Sequence, residues 1–137
     1  MVKTRDGPAW VPWYEGERLE LPIHQVKAVN PAHTPAEFEL FLNESDDGLW
    51  WFRRAREITR PRDQLAGRTT DGFPYLLPEV QLLYKARLLR EKDRVDFSNV
   101  LGLLDEDACG WLISALTRFL PGHEWIDLLE RRRNGRG

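Results

Sequence analysis

Cysteine is almost absent from this sequence, because Cys109 is the only one among 137 residues. A single cysteine cannot form an internal disulfide and has no cysteine neighbour with which to build a zinc cluster. We therefore expect neither a disulfide framework nor a cysteine-based metal site. The composition favours a reducing, cytoplasmic compartment.

Long apolar runs are also missing. The most apolar stretch, residues 111–120, is interrupted by Ser114, Thr117 and Arg118, whereas a membrane helix needs roughly 20 apolar residues. No apolar segment follows the charges of the first seven residues, so we expect no signal peptide. The sequence therefore predicts no association with a membrane.

Neither sign of charge is in large excess. Lysine and arginine number 20 against 22 acidic residues, which gives a net charge of −2. This balance argues against binding of duplex nucleic acid. The one basic cluster, residues 131–133 with Arg136, is predicted to be a flexible tail over residues 131–137.

Self-contained catalytic motifs are lacking as well. The sequence has no nucleophile elbow, no phosphate-cradling Gly-Lys loop, no dinucleotide-binding glycine pattern and no histidine pair at metal spacing. The three histidines are scattered, and His123 beside Pro121-Gly122 is interpreted as a capping or packing residue. Tryptophans 50, 51, 111 and 125 coincide with apolar periodicity and are assigned to the core.

Residues 1–73 carry the signals of strands and turns. Alternation over residues 37–44 would place Phe38, Leu40 and Leu42 on a core face. The turn at residues 45–48 then leads to an aromatic run, so we predict one β-hairpin over residues 37–54. The segment 58–73 is interpreted as a loop, with a possible short strand at 57–59.

Residues 74–130 have the periodicity of helices. Pro78 suits the first position of a helix, Asp93 and Asp105 are predicted N-caps for two more, and a short fourth helix is expected from about residue 124. The predicted fold class is α+β, with a small antiparallel sheet region followed by a three- to four-helix bundle. We expect one compact domain.

Five segments of the sequence carry a family resemblance. They are the Asp-Gly-Leu-Trp-Trp-Phe-Arg-Arg run at 47–54, the Pro-Tyr-Leu-Leu-Pro-Glu run continuing to Lys85-Ala86, the Lys-Asp-x-x-Asp-Phe of residues 92–97, the pair Trp111-Leu112, and Pro-Gly-His-Glu-Trp at 121–125. Over residues 36–129 the chain resembles the C-terminal half of bacterial minimal nucleotidyltransferases, the aminoglycoside nucleotidyltransferase-like family.

The resemblance implies transfer of a nucleotidyl group from a nucleoside triphosphate to a hydroxyl acceptor, with Mg²⁺ held by three carboxylates. Two of those carboxylates belong to an Asp-x-Asp strand after a Gly-Gly or Gly-Ser turn. The sequence has neither, because its only Asp-x-Asp, Asp105 to Asp107, is predicted to begin a helix. The third carboxylate corresponds to Glu39, with Glu37 as the alternate. Solvent-facing strand residues would explain these two acids equally well.

Three cations are implied to meet the nucleotide: Lys85, Arg53 and Lys92. Lys85 could equally be a solvated lysine whose stem covers apolar surface, and Arg53 could instead pair with an acid such as Glu39 or Glu44. Asp93 and Asp96 are expected to orient the site or simply to form a capped, charged helix start, and the structural role is the simpler interpretation.

Two functions follow from these observations. The first is a truncated nucleotidyltransferase-like protein that is inactive alone, for which Mg²⁺ and a nucleoside triphosphate are implied only by the family. The second is a non-catalytic module that recognises a small hydroxyl-bearing acceptor or pairs, through an exposed sheet edge, with a catalytic half or with itself. The acceptor and the base of the nucleotide stay open.

Overall fold

The computed structural model describes residues 2–5 and 7–135. The chain divides into two compact units, residues 1–44 and 45–137. Antiparallel sheets come first and four helices follow, so the predicted α+β class is confirmed. The boundary lies at residue 44 rather than near residue 73, because the strands after residue 44 pack with the helices.

The first unit is a four-stranded antiparallel sheet. Its strands are β1 (Val2–Arg5), β2 (Trp10–Pro12), β3 (Gln25–Val29) and β4 (Glu37–Phe41), in the order β2-β1-β3-β4. Val26, on β3, is the buried apolar residue of this unit's described part. The sheet therefore has little core of its own.

Strand β4 lies at an edge of this sheet, and its predicted core face is solvent-exposed. Phe38 and Leu40 are each 54% exposed. The assignment of these residues to the core was wrong. Alternation identifies the residues that share a face, but it does not show whether another layer covers that face.

The second unit begins with five short strands. They are β5 (Ser45–Asp46), β6 (Leu49–Phe52), β7 (Ala55–Pro61), β8 (Ala66–Arg68) and β9 (Pro74–Leu76), with a 3-10 turn at Arg62–Gln64. Strands β5, β6 and β7 form one antiparallel sheet, and β8 pairs with β9. The segment interpreted as a loop over residues 58–73 thus contains most of β7 and all of β8.

The predicted hairpin over residues 37–54 does not form. Strand β4 pairs with β3, and β6 pairs with β5 and β7. The turn residues Asp47 and Gly48 both have positive φ, 48° and 75°, as a tight two-residue hairpin requires. They connect the two-residue strand β5 to β6. The turn was therefore predicted correctly, but the strand that pairs across it is β5 and not β4.

Four helices complete the second unit: α1 (Pro78–Lys85), α2 (Glu91–Leu101), α3 (Glu106–Phe119) and α4 (Glu124–Asn134). Pro78 occupies the first turn of α1, as predicted. The Asp105 carboxylate accepts a 2.8 Å hydrogen bond from the backbone N–H of Ala108 and caps α3. His123 caps α4, since its Nδ1 accepts from the N–H of Trp125.

Two predictions for the helical part are corrected. Arg90, not Asp93, is the N-cap of α2, and Asp93 occupies the third helical position with its carboxylate turned back to the Arg90 N–H. Arg131 to Arg133 belong to α4 rather than to a flexible tail. Arg132 donates to the carbonyls of Leu101 and Gly102, which ties the end of α2 to α4. The last two residues of the predicted tail lie outside the described residues.

The core of the second unit joins the β5-β6-β7 sheet to the helices. Its buried residues include Trp50, Phe52, Leu83, Leu112 and Trp125. The core assignment of Trp50 and Trp125 is thereby confirmed. Among the described residues, no helix is long and apolar enough to span a membrane.

Candidate functional site

Three of the residues assigned to the site meet between α1 and α2. The Lys85 ammonium lies 2.7 Å from a carboxylate oxygen of Asp96 and 3.7 Å from one of Asp93. Lys85 occupies the last turn of α1, while both acids project from α2 toward it. Ion pairs therefore connect the two motif segments that contain these residues.

Asp93 is the buried centre of this cluster. Its side chain has no solvent exposure, and its carboxylate accepts hydrogen bonds from the Arg90 guanidinium at 2.9 and 3.2 Å and from the Arg90 N–H at 3.0 Å. These hydrogen bonds from Arg90, together with the nearby Lys85 charge, lower the pKa of Asp93 to about 2, although burial opposes the shift. The arrangement stabilises the ionised carboxylate of Asp93.

A small pocket of about 200 Å³ opens beside Lys85 and Asp96. Its other lining residues are the polar Gln81 and Asn99 and the apolar Pro78, Leu82 and Val100. The pocket is smaller than a typical ligand site of 300–1,000 Å³, and its one cation is already paired with carboxylates. It therefore offers little to a triphosphate.

The motif segments of the resemblance contact one another inside the second unit. His123 Nε2–H donates a 2.8 Å hydrogen bond to the carbonyl of Ala86, which ties the Pro-Gly-His segment to the end of the first motif. Phe97 stacks on Trp125 with ring centroids 4.4 Å apart. These contacts give the motif residues structural roles.

The aromatic run of β6 joins the same core. The Trp50 and Trp111 ring centroids are 6.3 Å apart, and Phe52 meets Tyr84 edge-on at 5.1 Å. The run over residues 47–54 is thus connected both to the Trp-Leu pair and to α1. Aromatic pairs of this kind add to the energy of burial alone.

The two predicted metal ligands lie in the first unit, on exposed strand β4. Glu39 accepts a 2.7 Å hydrogen bond from the Gln25 amide, and Glu37 pairs with Lys27 at 3.2 Å. Lys27 also lies directly opposite Glu39 in the β3–β4 register. A lysine ammonium paired with Glu37 opposes the binding of a divalent cation there, so this donor set does not fit Mg²⁺ held by this chain alone.

Among the described residues, Arg53 and Lys92 form no ion pair with the Lys85 cluster. Arg53 is an exposed residue of the two-residue turn between β6 and β7, and Lys92 is exposed in the first turn of α2. Neither forms an ion pair with any other described residue. Within the first unit, the two acids named as alternative partners of Arg53 have other partners: Glu39 accepts from Gln25, and Glu44 pairs with His24 at 2.8 Å.

Arg54, which the sequence analysis did not assign to the site, follows Arg53 directly in the chain. Burial lowers the pKa of Arg54, and the positive charges of Arg53 and Arg87 lower it further. Arg87 follows α1, 33 positions beyond Arg54 in the chain. Only the adjacent pair Arg53-Arg54 was visible in the sequence, and no local pattern indicates that the charge of Arg87 acts on Arg54.

In the described part of the chain, no three histidine, cysteine or acidic side chains are placed to hold a metal ion together. Comparison with known proteins identifies no relative: no protein-family model, no curated protein and no solved structure matches this sequence.

Proposed function

We propose that this chain is a nucleotidyltransferase-like protein that does not transfer nucleotides by itself and serves as the accessory half of the enzyme. The reaction supported by the resemblance is Mg²⁺-dependent transfer of a nucleotidyl group from a nucleoside triphosphate to a hydroxyl. A separate catalytic half would supply the Asp-x-Asp carboxylates, because two closely placed acids are what positions the metal in such chemistry.

One observation carries this proposal: the segments that resemble the family are packed together in residues 45–137, and their charged residues bind one another. Lys85 is held by Asp93 and Asp96, and Asp93 also by Arg90. A lysine neutralised by two carboxylates stabilises the contact between two helices and is a poor point charge for a phosphate. These residues support a scaffold role.

The proposal includes a cytoplasmic location, which is supported by the single and buried Cys109. The nucleotide would be held mainly by the partner, and the acceptor would be a small molecule with a hydroxyl group. Glu39 would contribute to the metal site only if the partner displaced the Gln25 amide that donates to it.

A transfer assay tests the lack of independent activity. The purified chain is incubated with Mg²⁺, each of the four nucleoside triphosphates labelled at the α-phosphate, and a panel of aminoglycosides and simpler alcohols. We expect no labelled acceptor above the background without protein. Mg²⁺-dependent turnover that Glu39→Ala abolishes, and that the exposed control Glu57→Ala retains, would show that the chain is a complete enzyme.

A second candidate function is favoured by strand β4. Among the described residues of its sheet, this strand pairs with β3 and lies at the edge, and it exposes Phe38, Leu40 and Phe41. Unpaired backbone groups beside exposed apolar side chains are typical of strands that accept another strand. A non-catalytic module that binds a strand from a separate chain would use this edge, and the first test is the self-association described in the Discussion.

A further inference from the structure

We propose that the pocket between α1 and α2 binds a neutral ring that carries several hydroxyl groups, such as a sugar or a cyclitol. This α1–α2 pocket has a volume of about 200 Å³, and its polar lining residues are Gln81, Lys85, Asp96 and Asn99. Binding requires neither Mg²⁺ nor a nucleotide. That such a ring is the hydroxyl acceptor rests on the proposed function, whereas its binding does not.

Helical spacing places the four polar side chains in two rows. Gln81 and Lys85 are four residues apart on α1, and Asp96 and Asn99 are three apart on α2, so each pair shares one face of its helix. The Lys85 ammonium lies 2.7 Å from Asp96 and connects the two rows. The pocket is therefore built on helices rather than on loops, which holds its polar groups in defined places.

The apolar part of the lining comes from the same two helices. Leu82 of α1 is only 2% exposed, and Val100 of α2 is half-buried. Ligand sites usually combine an apolar contact surface with a few polar groups that fix the orientation of the ligand. The C–H groups of a ring can pack against these two residues while its hydroxyls reach the polar rows.

The polar lining offers both donors and acceptors of hydrogen bonds. The carboxamides of Gln81 and Asn99 each have one acceptor oxygen and two N–H donors, and both residues are exposed to solvent. Asp96 pairs with Lys85 through Oδ2, and its Oδ1 can accept a further hydrogen bond. Because a hydroxyl group both donates and accepts, several hydroxyls on one ring match this lining.

The charges of the pocket favour a ligand without net charge. Lys85 and Asp96, the charged residues of the lining, neutralise each other at 2.7 Å. An anionic ligand would meet the Asp96 carboxylate, a cationic one would meet the Lys85 ammonium, and like charges at such distances repel. A neutral ring avoids this repulsion and still gains hydrogen bonds to charged groups, which are stronger than those between neutral groups.

The volume of the pocket limits the ligand to about one ring. At about 30 Å³ for each molecule of liquid water, 200 Å³ corresponds to roughly six or seven waters. A six-membered ring with its hydroxyls occupies a similar volume. A nucleoside triphosphate or an aminoglycoside of several rings would extend beyond the pocket, so the single ring is the unit that it fits.

Titration of the full chain with myo-inositol and with D-glucose, followed by ¹H–¹⁵N NMR, tests this site. We expect saturable shifts of the side-chain NH₂ signals of Gln81 and Asn99. The expected Kd is on the order of millimolar, because a few hydrogen bonds to a neutral molecule carry the binding. Saturation separates binding at a site from the general exclusion of polyols from protein surfaces, which acts without a site.

The double variant Gln81→Leu with Asn99→Leu is expected to weaken binding roughly 10- to 100-fold, the usual effect of losing two hydrogen bonds. The backbone N–H signals of Leu82 and Val100 report binding in this variant. The remaining amide spectrum shows whether the variant is folded. The matched control is Gln64→Leu with Asn134→Leu, which makes the same two replacements at exposed positions outside the pocket and should bind as the wild type does.

Two charged analogues test the preference for a neutral ring. Glucosamine adds a positive charge to the ring of glucose, and glucose 6-phosphate adds negative charge. Neither is expected to shift the Gln81 and Asn99 signals at lower concentration than the neutral rings do, because each meets a like charge in the pocket.

Three results would overturn the proposal: no saturable shift with either neutral ring, binding that the double variant retains in full, or tighter binding of a charged analogue. Binding of one neutral ring and not the other supports the site and identifies the ring. These results are independent of the transfer assay. A ring that binds without receiving a nucleotide agrees with both proposals, and a ring that fails to bind contradicts only this one.

Discussion

Arg60 on β7 donates a 2.8 Å hydrogen bond to Glu79 on α1, and the two side chains are only 13% and 6% exposed. The Arg60 guanidinium also lies 4.7 Å from the centroid of the Trp111 ring on α3. This ion pair thus connects a strand to two helices in the second unit. Its loss would leave a charge with little access to water.

Replacement of Glu79 by alanine should destabilise the chain strongly. The Arg60 charge would then lie unpaired beside Trp111, and breaking one side of a buried pair costs about 3–5 kcal/mol. Urea unfolding followed by tryptophan fluorescence measures the change. The exposed control Glu57→Ala should stay within about 0.5 kcal/mol of wild type. An effect of Glu79→Ala no larger than that of the control would show that the pair contributes nothing to stability.

Acid should destabilise the chain partly through Asp93. The folded-state pKa of this carboxyl is lowered from 3.8 to about 2, so its contribution is complete above pH 4 and is lost as the pH falls from about 4 to about 2. Asp93→Asn should be less stable than wild type at pH 6, and the difference should shrink across that range. Urea unfolding at pH 6, 4 and 3 measures it. Asp71→Asn, in an exposed turn, is the control, and a difference that is constant with pH would contradict the assignment.

Removal of the Lys85 charge should have a small effect on stability. In Lys85→Met, Asp93 keeps Arg90, and Asp96 is 46% exposed and can be solvated. We expect the free energy of unfolding to fall by about 1 kcal/mol or less, as measured by urea unfolding followed by tryptophan fluorescence. A loss as large as that caused by Glu79→Ala would contradict this assignment.

The exposed edge strand β4 should cause self-association. Phe38 and Leu40 share one face of this strand, and each is 54% exposed. We expect the mass measured by size-exclusion chromatography with light scattering to rise with protein concentration, and Phe38→Ser with Leu40→Ser to reduce that rise. Val95→Ser, which removes an exposed apolar residue from α2, is the control. A wild type that stays monomeric at every concentration would count against the interaction module.

The helices were predicted from the sequence more accurately than the strands. Pro78 begins α1 and Asp105 caps α3, because helix starts depend on residues within one turn of one another. The sequence could not indicate that β6 pairs with β7 rather than β4, since strand pairing depends on contacts between distant segments. Glu39 and Lys85 were assigned to one site from a resemblance, yet the structure places them in different units.

The sequence by itself determined the α+β class, the positions of the helices and the tight turn at Asp47-Gly48, because periodicity and local hydrogen bonding are properties of neighbouring residues. Only the tertiary structure decided that Lys85 of α1 lies beside Asp93 and Asp96 of α2, and that Trp111 of α3 packs near Trp50 of β6. These contacts join segments that are separated in the chain, and such distances are set by the packing of helices and strands rather than by any local pattern.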